Sequence, residues 1–397
     1  MAVATAGTSQ SGGTSLWRDP KARAIIVQVV VVASLVAFLW FIIHNTAVNL
    51  EKRGIATGFE FLSQPAGFDI ATSIIAYDAT MTHGRVFWVG LLNTILVAVL
   101  GVVFATVLGF ILGVLRLSPN WLINRLAYVY IEVVRNIPVL LQILFWWAFF
   151  LGLPRVKDAI NVFGQDIIFL SNRGLQSPWP VPEPGFGLVP IAFVVGIVAT
   201  IVLARWARKR QEQTGQHFPV VWSGFGLIVG LPLLAFIVTG FPLSWDIPVQ
   251  KGFNFKGGFA VTPEFTGLWL ALSLYTAAFI AENVRSGIQA VSHGQTEAAY
   301  ALGIKPSWTM RLIILPQALR VIVPPLTSQY LNLTKNSSLA IAVGFPDLVS
   351  AFGNTTLNQT GQAIEVISMT MAVYLGLSLA ISVFMNWYNK KIALVER

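Results

Sequence analysis

The sequence predicts an all-α, polytopic membrane protein of about eight transmembrane helices, and three observations predict it. The 397-residue chain is 55% hydrophobic and only 11% charged, whereas soluble domains carry about 25% charged residues. A soluble chain of this length would have to coat its core with charge that this one lacks. The mean hydropathy of +0.70 comes from separate runs that reach the roughly 20 apolar residues needed to cross a bilayer. Basic residues are also shared unevenly between the connections, as expected of chains that obey the positive-inside rule.

In chain order, Met1–Ser15 is rich in Gly, Ser, Thr and Ala and is expected to be a disordered tail. The first span, 24–43, reads AIIVQVVVVASLVAFLWFII without a charge. It is too long for a signal-peptide apolar region and no small-residue cleavage site follows, so a retained anchor is expected. Seven further apolar segments follow at 87–115, 123–152, 188–206, 218–240, 265–288, 314–343 and 363–387. With the N-terminus in the cytoplasm, the inner segments hold fifteen of the 26 Lys and Arg, the longer outer segments eight, and Arg135, Arg320 and Lys335 remain at membrane depth. An even number of spans then places both termini on the cytoplasmic side. The outer loops, such as SPWPVPEPGFG at 177–187 and the stretch 245–259, are rich in Gly, Pro and aromatics. They suit an irregular surface that receives a partner, or simple connections between helices.

The composition also excludes. A net charge of +9 could serve nucleic acid, but in a membrane chain it is explained by Lys and Arg on the cytoplasmic side, so no nucleic-acid partner is expected. There is no cysteine, hence no disulfide and no thiolate chemistry. His44, His83, His217 and His293 form no ligand-like pair, so no metal site is expected.

The most informative stretch is EAAYALGIKPSWTMRLIILP, Glu297–Pro316, in a cytoplasmic connection. Ser292 and Gln295 fit an S-x-x-Q capping box, and Ala298, Ala299 and Ala301 favour helix and keep its surface narrow. Gly303 can take the left-handed turn that ends a helix, and Pro306 prevents its continuation. A short, narrow helix at the membrane surface is shaped to enter a groove on another protein.

Glu297, Ala298, Ala299, Gly303, Ile313, Leu315 and Pro316 together resemble the EAA signature of ABC importer permeases. Tyr130–Gln142 (YIEVVRNIPVLLQ), Ala281–Ile288 (AENVRSGI) and Leu331–Leu339 (LNLTKNSSL) resemble segments of the polar amino-acid branch of that family, the histidine and glutamine type. Ser337 stands where that branch often has Thr, and Asn336 where it often has Asp. The resemblance covers about 88–152 and 265–390 and implies a five-helix type I core. The enlarged layout, with an added first span and an insert of about 110 residues, is similar to the Q-type permeases of general L-amino-acid transporters. The expected divisions are a tail at 1–23, an extra helix and outer loop at 24–86, the first part of the core at 87–152, an insert with two extra helices at 153–264, and the second part of the core with the coupling loop at 265–397.

The resemblance implies a coupling helix around 293–302 that docks on an ATPase, with Gln295, Glu297, Ala298, Ala299, Gly303 and Ile304 as the residues involved. No Lys follows a Gly in the chain, so the phosphate-cradling G-x-x-x-x-G-K-[ST] loop is absent. The chain is therefore expected to bind no cofactor and to have no ATPase site of its own, with ATP and Mg held by a separate ABC ATPase dimer. No segment is large enough to be a substrate-binding domain, so a periplasmic amino-acid-binding protein is expected as a further partner. One five-helix core makes half a pore, which implies a second, related permease subunit.

The substrate path is expected to involve Glu132, Arg135, Gln142, Lys335, Asn336, Ser337 and Ser338. Charged groups at membrane depth usually face a cavity or a partner. Glu132 and Arg135 stand three apart on one helical face and read better as a neutralising pair than as a substrate contact. Glu282 and Arg285 repeat that spacing and read as an ion pair that anchors the coupling loop. Lys335 to Ser338 interrupt an apolar span, as happens where helices line a cavity or at a membrane surface. Pro316, Pro324 and Pro325 are expected to kink the seventh span, and Trp146 and Trp147 with Phe145, Phe149 and Phe150 to form an interfacial belt. The function expected is a permease subunit of an ABC importer that carries L-amino acids across the inner membrane. A secondary transporter or channel driven by an ion gradient is the alternative, but it leaves the EAA spacing unexplained. A membrane-embedded enzyme would need a catalytic constellation that the spans lack.

Overall fold

The computed structural model describes residues 20–392, apart from positions 53, 55 and 56. The expected tail therefore lies almost wholly outside the described residues, as do the last five positions. The first helix, α1 (Pro20–Lys52), contains the expected anchor, and none of its apolar stretch is buried. A short segment folds over the start of α2 (His83–Leu115), whose first turn is capped by the Thr82 hydroxyl accepting from Arg85 N–H. Phe61 and Ala66 of that segment are buried against Val86, Phe352 and Val366.

The expected span 123–152 is not one helix. It is α3 (Trp121–Asn136) and α4 (Val139–Leu151), which meet at 106°. Pro138 is the cause, since proline lacks the N–H that would continue α3 and drives the residue before it out of helical geometry. Ile137 is accordingly extended, with φ −98° and ψ 129°. The carbonyls left open at the break are taken by Gln142, whose Nε2 donates to Val134 O and Ile137 O at 2.9 Å each.

The insert also departs from expectation. The connections expected to lie outside are not irregular but carry eight short antiparallel strands. Those before the hairpin are β1 (Ile160–Asn161), β2 (Phe169–Ser171), β3 (Gly174–Ser177) and β4 (Trp179–Pro182). The helices α5 (Leu188–Thr214) and α6 (Val220–Val238) then pair with each other. After them come β5 (Leu243–Asp246), β6 (Val249–Lys251), β7 (Asn254–Lys256) and β8 (Phe259–Val261). The sheet order β1-β2-β3-β8 closes the insert on itself, with Leu175 opposite Val261 and Ser177 opposite Phe259. Strands β4 and β5 pair over Trp179–Pro182 despite two prolines. Prolines are tolerated there because this is a two-stranded sheet, all of whose strands are edges.

The core is completed by α7 (Pro263–Gln289), α8 (His293–Ala301), α9 (Pro306–Thr309), α10 (Leu315–Asn336), α11 (Leu357–Thr360) and α12 (Ala363–Ile392). A π-helical turn, Met310–Ile314, joins α9 to α10. The polar run at the end of α10 does not unwind the span: it tightens into a 3₁₀ segment, Ser337–Val343. Pro324 and Pro325 lie inside α10. Among the described residues, seven helices are long and apolar enough to span a membrane, eight if the bent α3–α4 pair is one span. The centre is α7, packed on α2, α4 and α10, with Leu268, Ala271, Leu272, Ala277, Ile280 and Val284 fully buried. Glycines set the α2–α7 approach: a Cβ on Gly109 would stand 2.6 Å from Ile280, and one on Gly113 would stand 2.7 Å from Val284.

Candidate functional site

Helix α7 runs the length of the bundle, roughly 40 Å for 27 residues. One end touches the β-strands and the other leads into α8, so the sheet layer and α8 lie at opposite ends of the core. Ser292 is the N-cap residue of α8, but its hydroxyl makes no cap bond, so the expected capping box does not form. Gln295 turns the other way, and its Oε1 accepts from Gln317 Nε2 at 3.3 Å, tying α8 to α10. On the outer face, His293 Nδ1 and Glu297 Oε1 lie 2.9 Å apart and are both exposed.

The C-terminus of α8 closes as the sequence implies. Gly303 has φ +73°, Gly303 N–H donates to Tyr300 O at 2.9 Å, and Ile304 N–H donates to Ala299 O at 3.0 Å. These two bonds make a Schellman turn, which glycine enters without Cβ strain. Pro306 then opens α9 rather than merely ending α8. Of the six candidate coupling residues, Ala299 is buried inward and Ile304 half-buried, while Gln295, Glu297, Ala298 and Gly303 face out. The surface adds three side chains that the sequence reading did not single out: Tyr300, Leu302 and Trp308, exposed by 51%, 79% and 54%. Their signal was present as apolar residues in a polar connection.

The loop is held to the core from above. Arg285 Nε donates to Glu282 Oε2 at 3.0 Å and Arg285 Nη1 to Gln289 Oε1 at 2.5 Å, which is the ion pair expected there. The companion pair is absent. Arg135 forms no ion pair with Glu132; its guanidinium lies over the Phe279 ring of α7, 5.2 Å from the centroid. Three residues along α3 leave both side chains half-buried, and α7 offers Arg135 an aromatic face instead. The aromatic belt divides in the same way. Trp146 and Trp147 pack against the core cluster, with Gly267 beneath Trp147, while Phe145 and Phe149 remain exposed.

The other expected path residues are dispersed. Gln142 is buried at the α3–α4 break. Ser337 is fully buried and donates to Thr334 O at 2.8 Å. Lys335 and Ser338 line an open groove of about 520 Å3 between α10 and α12, and Asn336 is half-buried beside them. Among the described residues no hydrogen bond or ion pair joins the Glu132–Gln142 set to the Lys335–Ser338 set.

A buried polar cluster that the sequence reading missed lies just past the 3₁₀ segment. Asp347 is fully buried and caps a π-helical turn, Leu348–Thr356, by accepting from Ser350 N–H at 2.8 Å. Tyr374 O–H donates to its other oxygen at 3.2 Å. Leu348 N–H donates to Thr94 Oγ1 at 3.0 Å, and Asn93 Nδ2 donates to Pro346 O and Thr72 O at 2.8 Å each. Burial pushes the Asp347 carboxyl up to about 7, against the bonds from Ser350 and Tyr374 that pull it down. The available signal was Asp347 as the single acid between residues 313 and 364.

Residues 105–394 match the model of the binding-protein-dependent transport system inner membrane component family. The chain is 54% identical over 392 residues to the general L-amino acid transport system permease protein AapQ of Rhizobium johnstonii, covering 98% of this chain and 97% of that one. It is 52% identical to the putative amino-acid ABC transporter permease protein YhdX of Escherichia coli K12, covering 97% and 98%. It is 45% identical to the glutamate/glutamine/aspartate/asparagine transport system permease protein BztB of Rhodobacter capsulatus, covering 96% of each.

Proposed function

Because the chain belongs to the family of binding-protein-dependent transport system inner membrane components, we propose that it is the permease subunit of an ABC importer that moves L-amino acids across the inner membrane. The observation that carries the mechanical part is α8: a nine-residue helix at one end of the bundle, closed by a rigid turn and linked through Gln295 and Gln317 to α10. The relatives' names support the substrate class. In this reading α8 docks on a separate ATPase dimer, which holds the ATP and Mg. Glu297 and Ala298 face that subunit together with Tyr300 and Leu302, while Ala299 seats α8 on its own chain. ATP binding draws the ATPase halves together and moves α8. The displacement passes through the continuous α9–α10 segment, past Pro324 and Pro325, to the groove lined by Lys335 and Ser338. A second, related permease completes the pore, a periplasmic amino-acid-binding protein delivers substrate to the sheet end, and both termini lie in the cytoplasm.

The test is ATP-driven amino-acid uptake by the reconstituted complex carrying Glu297→Lys or Gly303→Asp. Both variants should stay in the membrane and lose uptake by at least about tenfold. Normal uptake by both removes α8 from the coupling path. Uptake that follows a proton or sodium gradient and ignores internal ATP would replace the importer reading with a secondary transporter.

A further inference from the structure

At the end of the bundle opposite α8, the strands fold back over the core and border two adjoining open cavities. The larger, about 630 Å3, lies where β3 and β8 meet the start of α7 and the ends of α4 and the 3₁₀ segment; Arg173, Gln176, Thr262 and Glu264 line it. The smaller, about 330 Å3, is lined by Arg155, Lys157, Asn172, Arg173 and Phe253. Asn172 and Arg173 belong to both walls, so the cavities are neighbours across one hairpin tip. Volumes in this range suit small-molecule ligands.

The fold places the charges on these walls. Arg173 lies at the turn between β2 and β3, where Ser171 pairs with Gly174. A Cβ on Gly174 would collide with Val261 O, so the hairpin tip sits hard against the end of β8. Asn172 N–H donates to Pro154 O at 2.8 Å, which clamps the Arg155–Lys157 turn beside Arg173. Gln250 Nε2 holds the same turn through Val156 O at 2.9 Å, and Lys157 Nζ rests 4.9 Å above the Phe253 ring. Among the described residues, none of Arg155, Lys157, Arg173 and Glu264 is in an ion pair. The neighbouring acid Asp158 is exposed and lines neither cavity.

Arg173 thus stands between a carboxylate, Glu264, on the larger cavity and two further cations, Arg155 and Lys157, on the smaller. A ligand matched to that set carries one ammonium and more than one negative charge. We propose that the two cavities form a receiving site for substrate ahead of the membrane core, and that it favours α-amino acids with a second carboxylate. Glu264 takes the ammonium, and Arg173 with Arg155 and Lys157 takes the carboxylates. The inference rests on the amino-acid permease reading above. An amino acid with a basic side chain meets three like charges, and a dicarboxylate without an amine leaves Glu264 unmatched. The groups are solvent-accessible, so each contact is worth roughly threefold to tenfold in affinity.

The test is saturation-transfer NMR on the complex isolated from membranes into nanodiscs without its binding protein, with glutamate, glutamine, arginine, glutarate and inorganic phosphate as probes. Glutamate should bind at least about threefold tighter than any other probe. Arg173→Gln should weaken glutamate about threefold to tenfold and glutamine less. Glu264→Gln should abolish the advantage of glutamate over glutarate. The proposal is overturned if glutamate does not bind, if glutarate or phosphate binds equally well, or if Arg173→Gln leaves the ranking unchanged. ATP-driven uptake by the unaltered complex, measured alongside with its binding protein, separates the two readings. Uptake without the ranking sinks this inference alone, and absence of any amino-acid uptake sinks the permease reading beneath it.

Discussion

Over their most apolar 18-residue stretches, α7 is 56% buried, while α5 and α6 are each 6% buried, although both are more apolar than α7. Helix α7 meets its neighbours through Ala271, Ser273, Ala277, Ala278, Ala281 and Gly287, whereas α5 and α6 show Val194, Val198, Val202, Phe225 and Leu234 to their surroundings. In lipid, large apolar side chains gain nothing by leaving the bilayer for another helix. Association depends instead on small residues that let backbones approach closely and keep dispersion contacts. Hydrophobicity alone therefore does not set burial: α5 and α6 are more apolar than α7 yet stay largely exposed, while α2, the most apolar span among the described residues, is 28% buried because its glycines let it pack on α7. The insert repeats the rule on a small scale: Gly196 lets α5 approach the backbone of Leu227 and Ile228, and the hairpin holds itself together there while touching the core little.

The contrast can be broken most severely at the α2–α7 contact. Gly113→Val places side-chain atoms where Ala281 O and Val284 already stand. It is expected to cost about 3 kcal/mol or more, above the usual range for overpacking because backbone is in the way. Thermal unfolding of the purified protein and the yield of folded protein should both fall; an unchanged melting temperature would mean that the contact is looser than described.

Asp347 comes next. Its carboxyl titrates near 7 when folded and near 3.8 when free. Between those values the folded chain keeps a proton that the unfolded chain has released, so this group makes stability fall as pH rises from about 4 to 7 and leaves it flat above. Asp347→Asn removes that slope and should raise stability at pH 8 by about 2 kcal/mol. Parallel stability–pH profiles for the two proteins would contradict the assignment.

A smaller effect is expected at Glu282 and Arg285, whose side chains are 30% and 27% exposed. Arg285→Gln should cost about 1 kcal/mol, and the exchanged pair Glu282→Arg with Arg285→Glu should recover part of it. No recovery would show that Gln289, rather than Glu282, is the partner that matters. The least effect is expected at Gly226, on the hairpin side of the contrast, where a Cβ meets nothing within 4 Å. Gly226→Val should change the unfolding free energy by no more than about 0.5 kcal/mol; a large loss would reveal a protein neighbour on a face that is open in this chain.

Much of the architecture was legible because each signal is local. Span positions follow from runs of apolar residues, and the end of α8 follows from Gly303, whose missing Cβ is what a left-handed turn requires. The Glu282–Arg285 pair was legible because i, i+3 spacing on one helix brings the two side chains together. The same spacing misled for Glu132 and Arg135, since the Phe279 ring on α7 competes for the guanidinium and no local rule knows that α7 is there. Ser292 and Gln295 fit a capping pattern, but Gln317, 22 residues away, takes the amide.

The sequence by itself determined that this chain lives in a bilayer, roughly where it crosses, and where the short helix ended by Gly303 lies. Those properties depend on composition, on hydrophobic runs and on conformational limits of single residues such as Gly303. Tertiary structure alone decided that α7 is the centre, that Arg173 and Glu264 share a cavity although 91 positions separate them in the chain, and that Asp347 is buried against α2. Such arrangements are set by which helix faces meet. In a membrane that choice turns on close-packed shape and on satisfied polar groups contributed by distant segments, and no window of sequence contains both partners.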